Sequence, residues 1–318
     1  MRTVFDQIIA ALGRAGRIAL ICHVSPDGDT LGAALALARV LRAESRDVTV
    51  VCDGTAPDNC ALIPGIETLK TPAEAGKTAF DLAVAVDVAE PERMGAARGL
   101  FDAAPVTVNI DHHISNTRFA QINCVSQRGA TAEIVFDLLR ARGTALDKET
   151  AEALYIAVST DTGGFTYANA DGDTYRVAAA LVDTGLDVAG INDFVFKRRS
   201  LTRTRLIALA IENLTVEDSL AVISLPYAAL AALGAQEGDT DGLVNYAREV
   251  EGVRTAVLAR ETETGQIRVS LRSDGAVDVC RVAAQFGGGG HRQAAGCTLE
   301  MPLEAAVKAL RDAVRQNG

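Results

Sequence analysis

The 318-residue chain has no tryptophan, and its aromatic content is only 4%. Its cores must therefore be built from Ala, Val, Leu and Ile, which a hydrophobic fraction of 48% supplies in quantity. Excess positive charge is also missing, since the formal net charge is −10. Affinity for long duplex DNA comes largely from neutralising phosphates, so an acidic chain is a poor general binder of it. Short anions stay within reach wherever a local site supplies cations. Clustered Asp residues holding divalent metals would also make a chain look more acidic than it behaves.

Paired thiols are absent too. The six cysteines, Cys22, Cys52, Cys60, Cys124, Cys280 and Cys297, include no CxxC, which argues against a thiolate zinc site. A disulfide framework is not expected at this length, so buried free thiols are the expectation. No apolar run approaches the roughly 20 residues of a membrane span. The N-terminal MRTVFDQIIAALGRAG contains an acid and reads as an amphipathic helix, not a signal peptide. A cytoplasmic location and no membrane partner follow as expectations.

What is present is an alternation of strands and helices. RIALIC (17–22), DVTVVC (47–52), DLAVAV (81–86) and VTVNI (106–110) read as strands. Helical patterns fall at 30–44, 131–142, 148–160 and 173–184. Strands separated by helices predict a parallel α/β sheet covered on both faces. The stretch 191–205, with Lys197, Arg198, Arg199, Arg203 and Arg205, reads as a connector. Its charge fits either a nucleic-acid contact or the solvated face of a linker helix. Beyond it, strands at 220–225, 254–260 and 266–271 and helices at 277–285 and 303–315 predict a smaller α/β domain. ETETG (261–265) marks a hairpin turn there.

The chain has only four histidines, and three of them fall where a strand ends. Residues just past the carboxyl ends of parallel strands share one crevice. The first strand runs into His23-Val24-Ser25-Pro26-Asp27-Gly28-Asp29, which reads either as hard metal ligands or as an Asx-rich turn capping the next helix. Asp87 ends the apolar run LAVAV, where a carboxylate is costly unless paired or metal-bound; the other reading is a helix cap. Asp111-His112-His113 ends the fourth strand, as ligands or as a satisfied surface pair. Asp161 closes an Ala-rich helix before Gly163-Gly164, where a carboxylate opposes the helix dipole and wants a positive partner. Taken together, the set suits two divalent metals bridged by carboxylates, clamping the attacking and leaving oxygens of an in-line phosphoryl displacement. The fourth histidine closes Gly287-Gly288-Gly289-Gly290-His291. That run reads as a phosphate cradle of backbone N–H groups in preference to a flexible linker. Arg272 ends a nearby strand.

The triplet Asp111-His112-His113 resembles the signature of the DHH family of phosphoesterases, and GGGGH resembles its associated nucleic-acid-binding domain. DVAEPERMG (87–95) and DHHISN (111–116) are similar to the bacterial nanoRNases, which also dephosphorylate 3′-phosphoadenosine 5′-phosphate (pAp). The resemblance implies a catalytic domain over residues 1–190, a linker over 191–205 and a substrate-binding domain over 206–318, with the active site in the cleft between them. It implies one metal held by His23, Asp27, Asp87 and Asp161, and a second held by Asp29, Asp87, His112 and Asp161. Mn2+ is favoured, with Mg2+ as the alternative. His113 would contact the scissile phosphate, and Asn116 would contact substrate. Arg272, Gly288, Gly289, Gly290 and His291 would hold the far phosphate, so that very short RNA or DNA oligonucleotides and nucleotides are the partners. The competing readings are a cyclic-dinucleotide phosphodiesterase and a non-catalytic nucleotide- or RNA-binding module. Oligomeric state is left open by the sequence.

Overall fold

Short apolar runs, too brief for helices and rich in Val and Ile, pair into one parallel sheet in the first part of the chain. Its strands are β1 (Arg17–Ile21), β2 (Asp47–Val51), β3 (Leu82–Val86), β4 (Val106–Asp111) and β5 (Ile122–Val125), in the order β2-β1-β3-β4-β5. β3, LAVAV, is buried throughout, as a strand covered on both faces must be. The computed structural model describes residues 2–76 and 78–317, apart from the side chain of Glu237. Helices α1 (Arg2–Arg14), α2 (Gly28–Ala43), α3 (Pro72–Ala75), α4 (Arg98–Ala103), α5 (Thr131–Ala141), α6 (Lys148–Asp161), α7 (Gly172–Val182) and α8 (Val188–Asn192) accompany the sheet. The N-terminal helix is as expected; Met1 lies outside the described residues.

The dearth of bulky side chains has a structural use. α2 and α6 run antiparallel in very close contact. A Cβ added at Gly32 would fall 2.5 Å from the Ala153 carbonyl oxygen and 2.8 Å from Ala157 Cβ, and one at Gly28 2.3 Å from Thr160 Oγ1. This packing brings the start of α2, with Asp27 and Asp29, to the end of α6, with Asp161. Strand order supplies the other half of the arrangement. The chain reverses its direction of winding between β1 and β3, and a sheet of this order opens a crevice there, beyond the strand ends. His23 and Asp87 follow those two strands.

The second unit is a six-stranded sheet in the order β10-β11-β9-β8-β7-β6. It comprises β6 (Leu214–Glu217), β7 (Leu220–Leu225), β8 (Thr255–Glu261), β9 (Ile267–Ser273), β10 (Gly289–His291) and β11 (Ala294–Leu299). Its pairs are antiparallel except for β7 with β8. α9 (Leu201–Glu212), α10 (Tyr227–Ala232), α11 (Leu243–Arg248), α12 (Val279–Ala284) and α13 (Leu303–Gln316) belong to this unit. The predicted hairpin turn is present between β8 and β9, closed by Gly265 N–H donating to the Thr262 carbonyl at 3.0 Å.

The chain divides between Arg198 and Arg199, inside the stretch read as a linker. Ile191 and Val195 are buried in the first unit's core and Leu206 in the second's. Three of the basic residues there have local partners. The Arg198 guanidinium lies 5.0 Å from the Phe194 ring centroid, Arg199 donates to the Tyr246 hydroxyl at 3.1 Å, and Arg203 donates to the carbonyls of Asp239 and Asp241. All six cysteines are free thiols, and five are buried. Among the described residues, no helix is long and apolar enough to cross a membrane.

Candidate active site

The turn after β1 caps the next helix and also gathers ligand-type side chains. Asp27 Oδ1 caps α2, accepting from the N–H groups of Asp29 (3.0 Å) and Thr30 (3.2 Å). Its Oδ2 stands 3.6 Å from His23 Nε2. His23 Nδ1 lies 2.8 Å from the Val24 carbonyl; a ring donating there keeps Nε2 as a lone pair, which also faces Asp87 Oδ2 at 3.4 Å. Asp87 adopts φ 61°, a left-handed backbone unusual for a residue with a side chain. Such strain survives where the surroundings over-determine it. The helix-cap alternative for Asp87 is not taken up, because the following turn, Pro91–Ala97, is preceded by Glu90 at its cap position.

Asp87 Oδ1 lies 3.6 Å from His112 Nε2, so the two oxygens of one carboxylate face two imidazoles. His112 Nδ1 is 3.0 Å from the Arg128 carbonyl, which again frees Nε2, and Nε2 is 3.5 Å from Asp161 Oδ2. Separations of 3.4–3.6 Å are long for hydrogen bonds. They suit ligands gathered around a common ion at about 2.0–2.2 Å from each. Among the described residues, three groups bring their potential ligand atoms within 4.8 Å of each other: His23, Asp27 and Asp87; Asp29, His112 and Asp161; and Asp87, His112 and His113. Asp161 thus stands with Asp29 and His112, not in the group around His23.

The electrostatics ask for cations. Burial raises the Asp29 carboxyl well above its ordinary range, and Asp87 and Asp161 push it further. Asp161 is raised to about 6, first by burial and then by Asp87 and Asp27, against the opposing pull of His112. Burial alone would lower His23, yet Asp27 and Asp87 outweigh it and take the imidazole to about 10. Carboxylates crowded in this way hold a proton on His23; a hard divalent ion taking the place of that proton would meet carboxylate oxygens and imidazole nitrogens suited to it.

His113 differs from its neighbour. Its Nδ1 is 2.8 Å from Asp111 Oδ1, so Nε2 is left for solvent or substrate, and the side chain is 43% exposed. Asp111 is fully buried. Burial would raise its pKa, but hydrogen bonds from His113 and Asn116 outweigh that and hold it below the ordinary value. The same contact raises His113. Asn116 is occupied within the protein: Nδ2 lies 2.5 Å from Asp111 Oδ2, 2.7 Å from Asn109 Oδ1 and 3.0 Å from the Val88 carbonyl, and Oδ1 accepts from Arg118 N–H at 2.7 Å.

Sequence reasoning passed over three residues. Thr131 opens α5 and donates its hydroxyl to Asp87 Oδ1 at 2.8 Å. Arg128 holds His112 through its carbonyl, while its guanidinium pairs with Asp137 (2.6 Å) and Asp173 (3.0 Å). Arg93 brings Nη2 to 3.2 Å from His23 Nδ1. Nothing at these positions stands out in a string of residues, because their partners are far away in the chain.

In the second unit, Arg272 and His291 are both paired with Ala294, one on each side of β11. Directly paired residues project from the same face of a sheet, so a cation and an imidazole share a face with only Ala294 between them. The glycines have a packing reason of their own. A Cβ at Gly288 would meet the Gly296 carbonyl oxygen at 2.2 Å, and one at Gly290 the Ala294 carbonyl oxygen at 2.5 Å, whereas Gly289 faces open space. Much of the run is an edge strand and not an open loop.

Residues 17–158 match the DHH family, N-terminal domain, and residues 223–317 the DHHA1 domain. The bifunctional oligoribonuclease and PAP phosphatase NrnA of Thermus thermophilus is 35% identical over 319 residues, covering 99% of this chain and 94% of the relative. The chain belongs to the DHH family. The DHH relative of the same name from Bacillus subtilis is 24% identical, with 92% of each chain covered. Among solved structures, an exopolyphosphatase-related protein from Bacteroides fragilis superposes with a TM-score of 0.92 at 29% identity, over 99% of this chain and 96% of that one.

Proposed function

We propose that this DHH protein hydrolyses very short oligoribonucleotides such as pApA to mononucleotides and converts pAp to AMP, using two divalent metal ions, Mn2+ by preference. The observation that carries the reading is the Asp87 carboxylate, with one oxygen toward His23 and the other toward His112, at 3.4 and 3.6 Å. One group of ligands would comprise His23, Asp27 and Asp87, and the other Asp29, His112 and Asp161, with Asp87 shared. The activities printed in the names of the Thermus and Bacillus relatives support the substrate class.

Divalent ions held there supply an attacking water of lowered pKa and neutralise charge on the phosphoryl oxygens. The chain's own groups do the rest. Water gives up a proton to solvent as it attacks phosphorus, the bond to the leaving oxygen breaks, and that oxygen takes a proton from His113 Nε2, which solvent then replaces. Asp111 keeps His113 oriented, with its Nδ1 engaged at 2.8 Å. Arg93, with its guanidinium beside His23, offers a cation to a non-bridging phosphate oxygen. In the second unit, Arg272, Gly288, Gly289, Gly290 and His291 would hold another phosphate of the substrate.

The test is hydrolysis by the purified full chain with Mn2+, with EDTA and Asp87→Ala as controls. The substrates are pApA, pAp, cyclic di-AMP, pyrophosphate and a 24-mer RNA. Faster turnover of pApA and pAp than of the 24-mer, lost in both controls, is the expected result. Dominant turnover of cyclic di-AMP would replace the reading with a cyclic-dinucleotide phosphodiesterase. No turnover of any substrate would leave a nucleotide-binding module.

A further inference from the structure

We infer that Thr131 is a positioning residue that ties the two groups of metal ligands to each other through the first turn of α5. This rests on the two-metal reading above. Thr131 is fully buried and is the first residue of an 11-residue helix. Its N–H donates to Asp29 Oδ2 at 2.6 Å, and the next N–H, of Ala132, donates to Asp29 Oδ1 at 2.9 Å. Its hydroxyl donates to Asp87 Oδ1 at 2.8 Å. Asp29 belongs to the group with His112 and Asp161, and Asp87 to the group with His23 and Asp27. One residue therefore grips a carboxylate from each.

Each grip answers a local need. α5 begins after Ala130, which has no side chain able to cap it. The first N–H groups of a helix lack partners within the helix and carry partial positive charge. Asp29, arriving from α2, satisfies two of them, and both of its oxygens are thereby fixed in place. Asp87 has the opposite problem. It sits on a strained backbone, and its imidazole neighbours His23, His112 and His113 stand 3.4–3.6 Å off. Among the described residues, the Thr131 hydroxyl is the group that donates a short hydrogen bond to its carboxylate. A hydroxyl has one proton to give, and here Asp87 takes it. That bond fixes the rotation of the carboxylate, and so keeps Oδ2 toward His23 and Oδ1 toward His112. Without it the carboxylate shared by the two groups would be free to turn. Thr131 would then set how far apart two bound ions stand.

The substitutions separate the hydroxyl from the rest of the residue. Thr131→Val keeps the shape and the N–H to Asp29 and loses only the donor to Asp87; Thr131→Ser keeps the donor; Thr131→Ala loses donor and methyl and serves if the Val protein does not fold. Each full-length protein is stripped with EDTA, checked for its fold by circular dichroism, and titrated with Mn2+ by calorimetry. Electron paramagnetic resonance then reads the magnetic coupling between paired ions. The expected result is Mn2+ binding weakened by about 10–100-fold in Thr131→Val and Thr131→Ala, the scale of lost outer partners of metal ligands. The coupled signal should be lost in both, and Thr131→Ser should restore both readouts. Folded Thr131→Val with wild-type affinity and coupling overturns the inference while leaving the metal site standing. Wild-type protein that takes up no Mn2+ overturns both.

Discussion

Asn116 illustrates what a motif conveys and what it leaves out. Its place in DHHISN marks it as belonging to the site, and the resemblance implies a contact with substrate. In the fold its amide braces Asp111, which in turn holds His113, and we propose that it acts on substrate through that pair. Asn116→Ala should therefore lower kcat for pApA by about 10-fold or more, the cost of losing an outer-shell partner, with KM nearly unchanged. A rise in KM at constant kcat would return Asn116 to direct substrate contact. His113, Asp87 and Asp161 were legible because a His or Asp at the end of an apolar element has few structural reasons to be there. Thr131 and Arg128 were not, since a Thr opening a helix and an Arg in a loop are ordinary until their distant partners are known.

Elements carry these residues, and most were legible from period and composition. β1 to β4 and the helices around them lie close to where alternation and Ala/Leu periodicity put them. β5 was missed because it is a four-residue strand with Asn123 inside it, too short for a pattern to form. The α2–α6 pair is the element that matters most for the site, and its far end offers a test. Asp147 caps α6, accepting from Thr150 N–H at 2.9 Å, and Arg39 on α2 grips the same carboxylate at 2.8 Å. The Arg39 hydrogen bonds are the main reason its pKa falls to about 2. A carboxyl lowered on folding stabilises the protein above its unfolded pKa and ceases to do so as pH falls through the folded one. Asp147→Ala should cost about 1 kcal/mol at neutral pH, most of it from the lost cap, because the side chain is half exposed and solvent screens the ion pair. In urea melts the gap from wild type should hold above about pH 5 and narrow as pH falls from the ordinary Asp pKa of about 3.9 toward 2. A gap that does not change with pH would mean that the charge contributes nothing.

At the scale of the molecule, the chain divides into two units, and on the two-metal proposal a metal should act on one of them. Mn2+ at 100 times its Kd would stabilise the protein that binds it by about 2.7 kcal/mol. In hydrogen exchange on the full chain, Mn2+ should slow exchange around residues 23–29, 87, 111–113 and 161, and leave residues 199–318 as they were. Slowing confined to the second unit would move the metal site there. The sequence by itself determined the alternation of strands and helices, the absence of thiolate pairs and the ligand-type residues at element ends, because periodicity and residue chemistry are local properties. Only the tertiary structure decided that Asp29 caps a helix from another part of the chain, that Asp161 stands with Asp29 and His112, and that Asp87 turns an oxygen toward each of two imidazoles. Those facts depend on the β2-β1-β3-β4-β5 strand order and on the close approach of α2 and α6. They join residues as far apart as Asp29 and Thr131 or Asp87 and His23, which no local pattern can reach.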